Sequence, residues 1–359
     1  MNKLFDNLLL SSPNGGGLFF LHEANAFKID NFDTTGLSIK GRKVLRGIQP
    51  QPSALYIYDV NPLEISKSTV PFDDIHDVYL DGQFVFLVGT SGNEIIKLDG
   101  SGGELQRWVL PGDMDSLHIN CLAMWNGRII FSAFGGFTEN YGYKGKTEKS
   151  GFVQDLFTGQ RLITGLSQPH SLVPIGQNLL LANSESKQLL EYGPSGDLIR
   201  ALTLEGYTRG ICVVNDIVYV GLSCSRNIEL PSIESATVMA LHRDTWEEMG
   251  RVKLPTAEIY AIQEIANPND AIHVLATIAS DSFSRLACTV AERDGQIANL
   301  IQAMTGRDAE ISRLAKLIDS NNRELMLIQD SIFQIFAKSL LSIKHQLGHM
   351  FSLQRRVSL

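Results

Sequence analysis

The sequence predicts an all-β protein, a β-propeller with six blades favoured, continued by a long C-terminal helix of coiled-coil character. Three observations predict it. A strand-turn-strand unit recurs at a spacing of about 40 to 50 residues, the length of a four-stranded propeller blade. The texture then changes at Ala291 to a seven-residue apolar repeat. The composition, 44% apolar and 19% charged over 359 residues, suits one large core with an appendage.

The clearest pair of units is His76-Asp-Val-Tyr-Leu-Asp-Gly82 followed by Gln-Phe-Val-Phe-Leu, against His170-Ser-Leu-Val-Pro-Ile-Gly176 followed by Gln-Asn-Leu-Leu-Leu. Each continues through a small polar turn, a third strand (Glu94 to Leu98, Gln188 to Tyr192) and a Gly/Ser turn into a fourth strand. The same order recurs at Cys121-Leu-Ala-Met-Trp-Asn-Gly127 and Arg209-Gly-Ile-Cys-Val-Val-Asn215. A weaker copy begins near Tyr260, and Gly16 to Val60 holds strand-like runs such as Ala54-Leu-Tyr-Ile-Tyr. A β-sandwich does not repeat such a unit at a fixed period, whereas propeller blades must, because each buries both faces on its neighbours. The expected plan is an N-terminal extension over 1–14, a propeller over 15–290 and a coiled-coil or amphipathic helix over 291–359.

In that last segment Ile297, Leu300, Met304, Ile311, Leu314, Ile318, Leu325, Ile328, Ile332 and Ile335 mark the seam, with Asn321 placed to fix register. Arg293-Asp-Gly-Gln-Ile-Ala-Asn-Leu300 is echoed two heptads on by Arg307-Asp-Ala-Glu-Ile-Ser-Arg-Leu314. Beyond Phe333 the apolar face widens while Lys338, Lys344, Arg355 and Arg356 make it basic. Packing on a partner, on a second copy or back on the propeller is favoured there over an interfacial membrane helix.

A net charge of −8 removes the electrostatic ground for nucleic acid as a partner. Cys121, Cys212, Cys224 and Cys288 have no CxxC spacing and read as small buried residues in a reducing cytoplasm. Leu8-Leu9-Leu10, split from Leu4-Phe5 by Asp6, is too short for a secretory or spanning segment, so a cytoplasmic chain without a leader is expected.

Two apparent nucleotide motifs fail on context. Gly145-Lys146-Thr147 lacks the upstream glycine, position 140 being Asn, and Gly15-Gly16-Gly17 leads into a strand with no helix after it. No Gly-x-Ser-x-Gly elbow is present for a serine nucleophile. The informative constellation comes from repeat phase: His76, His170 and Arg209 each stand six residues before the Gly or Asn of the first turn. Residues in one phase of a propeller converge at the mouth of its channel. His118 lies three residues before Cys121, which is read as in phase, and Glu258 or Tyr260 takes the place in the next unit.

His76, His118, His170 and Glu258 are therefore the candidate ligands of a divalent transition metal, with Arg209 and Tyr260 as ligand-binding residues able to hold a carboxylate or phosphate. The competing reading has these histidines capping strand ends on the next blade. His22, His242 and His273 sit in strand-like runs without partner spacing, and His345 and His349 lack the Glu of a zincin helix.

At Gln168-Pro-His-Ser171, Leu180-Leu-Ala-Asn-Ser184, Gly206-Tyr-Thr-Arg-Gly210 and Val218-Tyr-Val-Gly-Leu-Ser223 the chain resembles the uncharacterised bacterial β-propeller family of the domain-of-unknown-function 4915 group, over roughly residues 15–290. Arg226 with Glu229-Leu-Pro231 is similar to that family's loop after the Val-Gly-Leu-Ser strand, which adds Arg226 to the candidate ligand-binding residues. The resemblance implies a propeller and transfers no activity. It also implies a setting near cell-surface polysaccharide genes, and the tail is similar to coiled-coil linkers that precede bacterial glycosyltransferase domains. The functional expectation is a binding or scaffold module associating through its helix. The alternative is a metal-dependent enzyme acting on a small anionic or sugar-like substrate or glycan at the channel mouth.

Overall fold

A computed structural model describes residues 4–49, 52–60, 63–224, 235–304 and 317–326. Strands β1 (Leu8–Ser12), β2 (Gly17–His22) and β3 (Asn25–Asp30) open the chain. The second blade holds β4 (Thr34–Lys40), β5 (Lys43–Ile48), β6 (Ala54–Val60) and β7 (Leu63–Lys67). The third holds β8 (Ile75–Asp81), β9 (Phe84–Gly89), β10 (Glu94–Leu98) and β11 (Glu104–Val109). The fourth comprises β12 (Ile119–Trp125), β13 (Arg128–Ala133), β14 (Gly151–Asp155) and β15 (Arg161–Leu166). In the fifth are β16 (Pro169–Ile175), β17 (Asn178–Asn183), β18 (Gln188–Tyr192) and β19 (Leu198–Thr203). The sixth has β20 (Tyr207–Val214), β21 (Ile217–Ser223), β22 (Thr237–His242) and β23 (Glu248–Lys253). Strand β24 (Ala261–Glu264) then pairs antiparallel with β1, from Leu8 opposite Glu264 to Ser11 opposite Ala261, and completes the first blade in the order β24-β1-β2-β3. Among the described residues there are thus six four-stranded sheets, the blade number the repeat favours.

The core lies between blades. Six clusters of buried apolar side chains each join two neighbouring blades, and they run round the whole ring. Leu179, Leu181 and Leu190 of the fifth blade meet Ala123, Trp125 and Ile130 of the fourth, for instance, while Leu180 and Leu189 face Val218 and Val220 of the sixth. Both faces of a blade are apolar, so its middle strands read as continuous apolar runs rather than alternating ones. The outer strands β11, β19 and β23 are exposed and carry charged pairs such as Arg107 with Glu104 and Arg251 with Glu248, which discourage edge-to-edge pairing.

Two boundaries differ from the sequence plan. Residues 8–12, expected in an N-terminal extension, supply the second strand of the closing blade. The long helix α1 (Pro268–Met304) begins well before Ala291, with Asn267 and Pro268 at the capping and first-turn positions those residues favour. Its start is helical because Ala271, Val274 and Ile278 fall on one face and complete the cluster of Leu9, Leu18, Leu37 and Tyr58. His273 accordingly lies on this helix rather than in a strand.

The propeller and the start of α1, through Phe283, form one compact unit, and residues from Ser284 form a second. The cysteines run from buried Cys121 through half-buried Cys212 and Cys224 to Cys288, which is exposed on the helix. A further helical stretch covers 317–326, where Ile318, Asn321 and Leu325 fall; Ile311, Leu314, Ile328, Ile332, Ile335 and the basic end lie outside the described residues. No helix among the described residues is long and apolar enough to cross a membrane.

Deep in the second blade Arg46 is fully buried. It forms a bidentate pair with Asp30 (2.7 Å for each bond) and also donates to Thr34 Oγ1, while Ser282 Oγ of α1 donates to the same carboxylate at 2.6 Å. Burial alone would push the Asp30 carboxyl up, but the Arg46 bonds and charge hold it below its ordinary range.

Candidate functional site at the channel mouth

The inner strands of blades two to six each carry a register shift where they enter the channel, at Thr34/Leu37, Ile75/Asp77, Ile119/Cys121, His170/Val173 and Arg209/Ile211. Such bulges re-aim side chains. The first turn after each of these five strands opens on a residue of left-handed backbone: Gly41, Gly82, Asn126, Gly176 and Asn215. Counting six back from these gives Thr35, His76, Asn120, His170 and Arg209. The residue in phase in the fourth blade is therefore Asn120 and not Cys121. Trp125 pairs with Arg128, so Asn126 opens that turn, and a count taken from Gly127 slips by one residue and lands on the opposite side of the strand. Cys121 lines the opposite mouth of the channel, where burial pushes its thiol pKa well up.

A second ring enters from two residues upstream. Asp74, His118 and Gln168 all have positive φ, between 47° and 55°, and all line the same cavity. In three blades the in-phase side chain bonds back to the carbonyl of this residue: His76 Nδ1 to Asp74 at 3.2 Å, Asn120 Nδ2 to His118 at 3.1 Å and His170 Nδ1 to Gln168 at 2.9 Å.

These contacts decide the tautomers. A carbonyl only accepts, so Nδ1 of His76 and of His170 carries the hydrogen. Ser184 Oγ, 2.8 Å from His170 Nδ1, donates its own proton to the Thr208 carbonyl at 2.6 Å and so agrees with that assignment. Burial, with the Arg209 charge, holds His170 well below the usual imidazole range, and burial lowers His76 as well. Both rings are neutral at pH 7, and their Nε2 atoms are acceptors. His170 Nε2 and Arg209 Nε are both buried without a hydrogen-bond partner.

The cavity has a volume of about 620 Å³. Arg209 forms a buried ion pair with Glu258 at 3.1 Å, and its guanidinium carbon stands 5.0 Å and 5.1 Å from the ring centres of Tyr207 and Tyr260. Burial opposes the charge on Arg209, but the surrounding Tyr207, Glu258 and Tyr260 groups keep it protonated. The Tyr260 ring lies 5.9 Å from that of His76 and 6.1 Å from that of His170, and it borders the cavities at both ends of the channel. The loop from Phe134 to Ser150 builds one wall. There Tyr143 donates to Asp115 Oδ2 at 2.9 Å while His118 Nδ1 meets Asp115 Oδ1 at 2.8 Å. Gly145 and Thr147 belong to this wall, and the strand β14 follows them, so no phosphate loop is formed.

Of the residues singled out in the sequence, His76, His118, Arg209, Glu258 and Tyr260 come together at this cavity. His170 adjoins them, in ring contact with Phe134, Tyr207 and Tyr260, but does not form its wall. Arg226 lies outside the described residues. Among the described residues no group of three or more His, Cys, Asp or Glu side chains is arranged to hold a metal ion. Asp74, Asp115, Tyr143 and Gln168 were not found from the sequence; the positions two residues before the in-phase His76 and His170 reach Asp74 and Gln168.

Fold and cavity together define a six-bladed β-propeller with a polar, aromatic-walled cavity at one mouth of its channel. Residues 68–273, more than half of the chain, match the family described as Domain of unknown function (DUF4915), and the chain belongs to that family. No curated protein matches the sequence. Among solved structures, one from a nidogen/laminin complex is similar at 13% identity, with 71% of this chain and 96% of that chain covered and a TM-score of 0.53. A protein of unknown function from Bacteroides caccae is similar at 10% identity, with 72% and 98% covered and a TM-score of 0.53. At these identities the likeness is one of fold.

Proposed function

We propose that the chain is a binding module that takes a small polyhydroxylated, sugar-like molecule in the channel-mouth cavity. The observation that carries this reading is the make-up of the wall: His76 commits Nδ1–H to backbone oxygen and keeps Nε2 as an acceptor, beside the Asp74 carboxylate, the Tyr143, Tyr260 and Phe134 rings and the Gln168 amide. Hydroxyl groups both donate and accept, which suits a wall that sets acceptors beside the Arg209 and Lys144 donors, and aromatic faces take the apolar faces of a sugar ring. A sugar-like ligand also accords with a role in cell-surface polysaccharide assembly. The test is calorimetric titration with glucose, N-acetylglucosamine and glucuronate. Binding with Kd of about 1 mM or tighter, weakened at least tenfold in His118→Phe, supports the reading; no heat from the wild-type protein with any of the three at about 10 mM overturns it.

The metal-dependent alternative, with His76, His118, His170 and Glu258 as ligands, draws on the buried, bare His170 Nε2. Elemental analysis separates the two, since stoichiometric metal lost in both His76→Ala and His170→Ala would favour the enzyme. Association of two copies through the helix belongs to the same proposal. Phe283, Leu286 and Val290 are exposed and lie one and two heptads before Ile297 and Leu300. A monomer at micromolar concentration, unchanged on deleting residues 291–359, would remove that part.

A further inference from the structure

The opposite mouth of the channel holds a second cavity of about 330 Å³, walled mainly by apolar side chains of the inner strands. Its chemistry follows from the position just after each in-phase residue: Gly36, Asp77, Cys121, Ser171, Gly210 and Ala261. Three of these staple one blade to the next. Asp77 Oδ2 accepts from Leu122 N at 2.9 Å, Cys121 Sγ from Ser171 N at 3.1 Å and Ser171 Oγ from Gly210 N at 2.8 Å. At Gly36 a Cβ would sit 2.7 Å from Val78 N, so there the backbones meet without any side chain.

The staple needs no charge, because a thiol and a hydroxyl serve in two blades and glycine in two more. Asp77 alone carries a carboxylate. Its oxygens accept two backbone N–H groups, from Val78 and Leu122, and no cation pairs with it among the described residues. Lys40, Tyr79, Cys121, Cys212 and Tyr260 border the same mouth. A buried carboxylate is costly unless a cation compensates it.

We propose that this mouth binds a small organic cation with an apolar body, its ammonium on the Asp77 carboxylate and its hydrocarbon against Leu80, Leu122 and Ile211. The site is independent of the polar cavity and of the sugar-binding proposal.

The probe is benzylammonium, titrated by ligand-observed NMR at pH 8, with benzyl alcohol as its neutral counterpart. The variants are Asp77→Ser, which keeps a hydroxyl staple like that of Ser171, and Asp77→Asn, which keeps the carboxyl shape. The expected result is millimolar binding of benzylammonium at pH 8, at least tenfold weaker in each variant that folds. Equal affinity in a folded variant, benzyl alcohol binding as tightly as benzylammonium, or no binding to the wild-type protein would each overturn the proposal.

Discussion

Replacing Asp77 with asparagine should change how the stability of the propeller depends on pH. The native carboxyl titrates near 7 where the ordinary value is 3.8. Between those values the folded protein holds a proton that the unfolded chain has released, so stability falls as pH rises through that window. At 1.36 kcal/mol per unit the shift corresponds to about 4 kcal/mol, and to about 2 kcal/mol once solvent contact at the mouth is allowed for. Asparagine removes the titration and still offers one acceptor for Leu122 N. Urea unfolding followed by tryptophan fluorescence at pH 5, 6, 7 and 8 reads the effect, since buried Trp125 and Trp246 report on two blades. With m of roughly 3 kcal/mol/M, the wild-type midpoint should fall by about 0.5 M relative to the variant between pH 5 and pH 8. Parallel midpoints across the range would refute the claim that this carboxylate is held at a cost.

Arg46→Met should cost about 3–5 kcal/mol, because it leaves the Asp30 carboxylate without its bidentate partner, and the loss should appear as a large drop in Tm. Leu181→Ala, at a fully buried site between the fourth and fifth blades, should cost about 2–5 kcal/mol in the same urea assay while the fold persists. Deleting residues 4–12 strips β24 of its partner and should leave a chain that exposes apolar surface, read as dye binding and loss of the cooperative transition.

The blades were legible because each repeats apolar strand, tight turn and apolar strand, which only a ring of mutually buried sheets explains. The first blade was the hard one. It borrows strands from both ends of the chain, and its β2–β3 turn uses Glu23 and Ala24 in left-handed backbone instead of the glycine that marks other turns. Phase brought out His76, His170 and Arg209, and it slipped at Asn126 because asparagine also tolerates that conformation. Asp115 and Tyr143 reach the cavity from irregular loops, and no period in the sequence points to a loop residue. The helix start was hidden for a different reason, since Val274 and Ile278 are β-branched and match a strand as readily as a helix.

The antiparallel bond between β1 and β24 also sets an order of events during synthesis. Ala261 donates to Ser11 across 250 residues of chain, so β1 waits for its partner β24 until blades two to six have been synthesised. At about 5–20 residues per second that wait is on the order of ten seconds to a minute. Blades two to six, each made of consecutive hairpins, have time to form while the first remains a three-stranded sheet with an open inner edge. An open edge is where a foreign strand adds most readily. A crowded polysome would therefore be the setting in which two copies exchange their closing strands, each completing the other's ring.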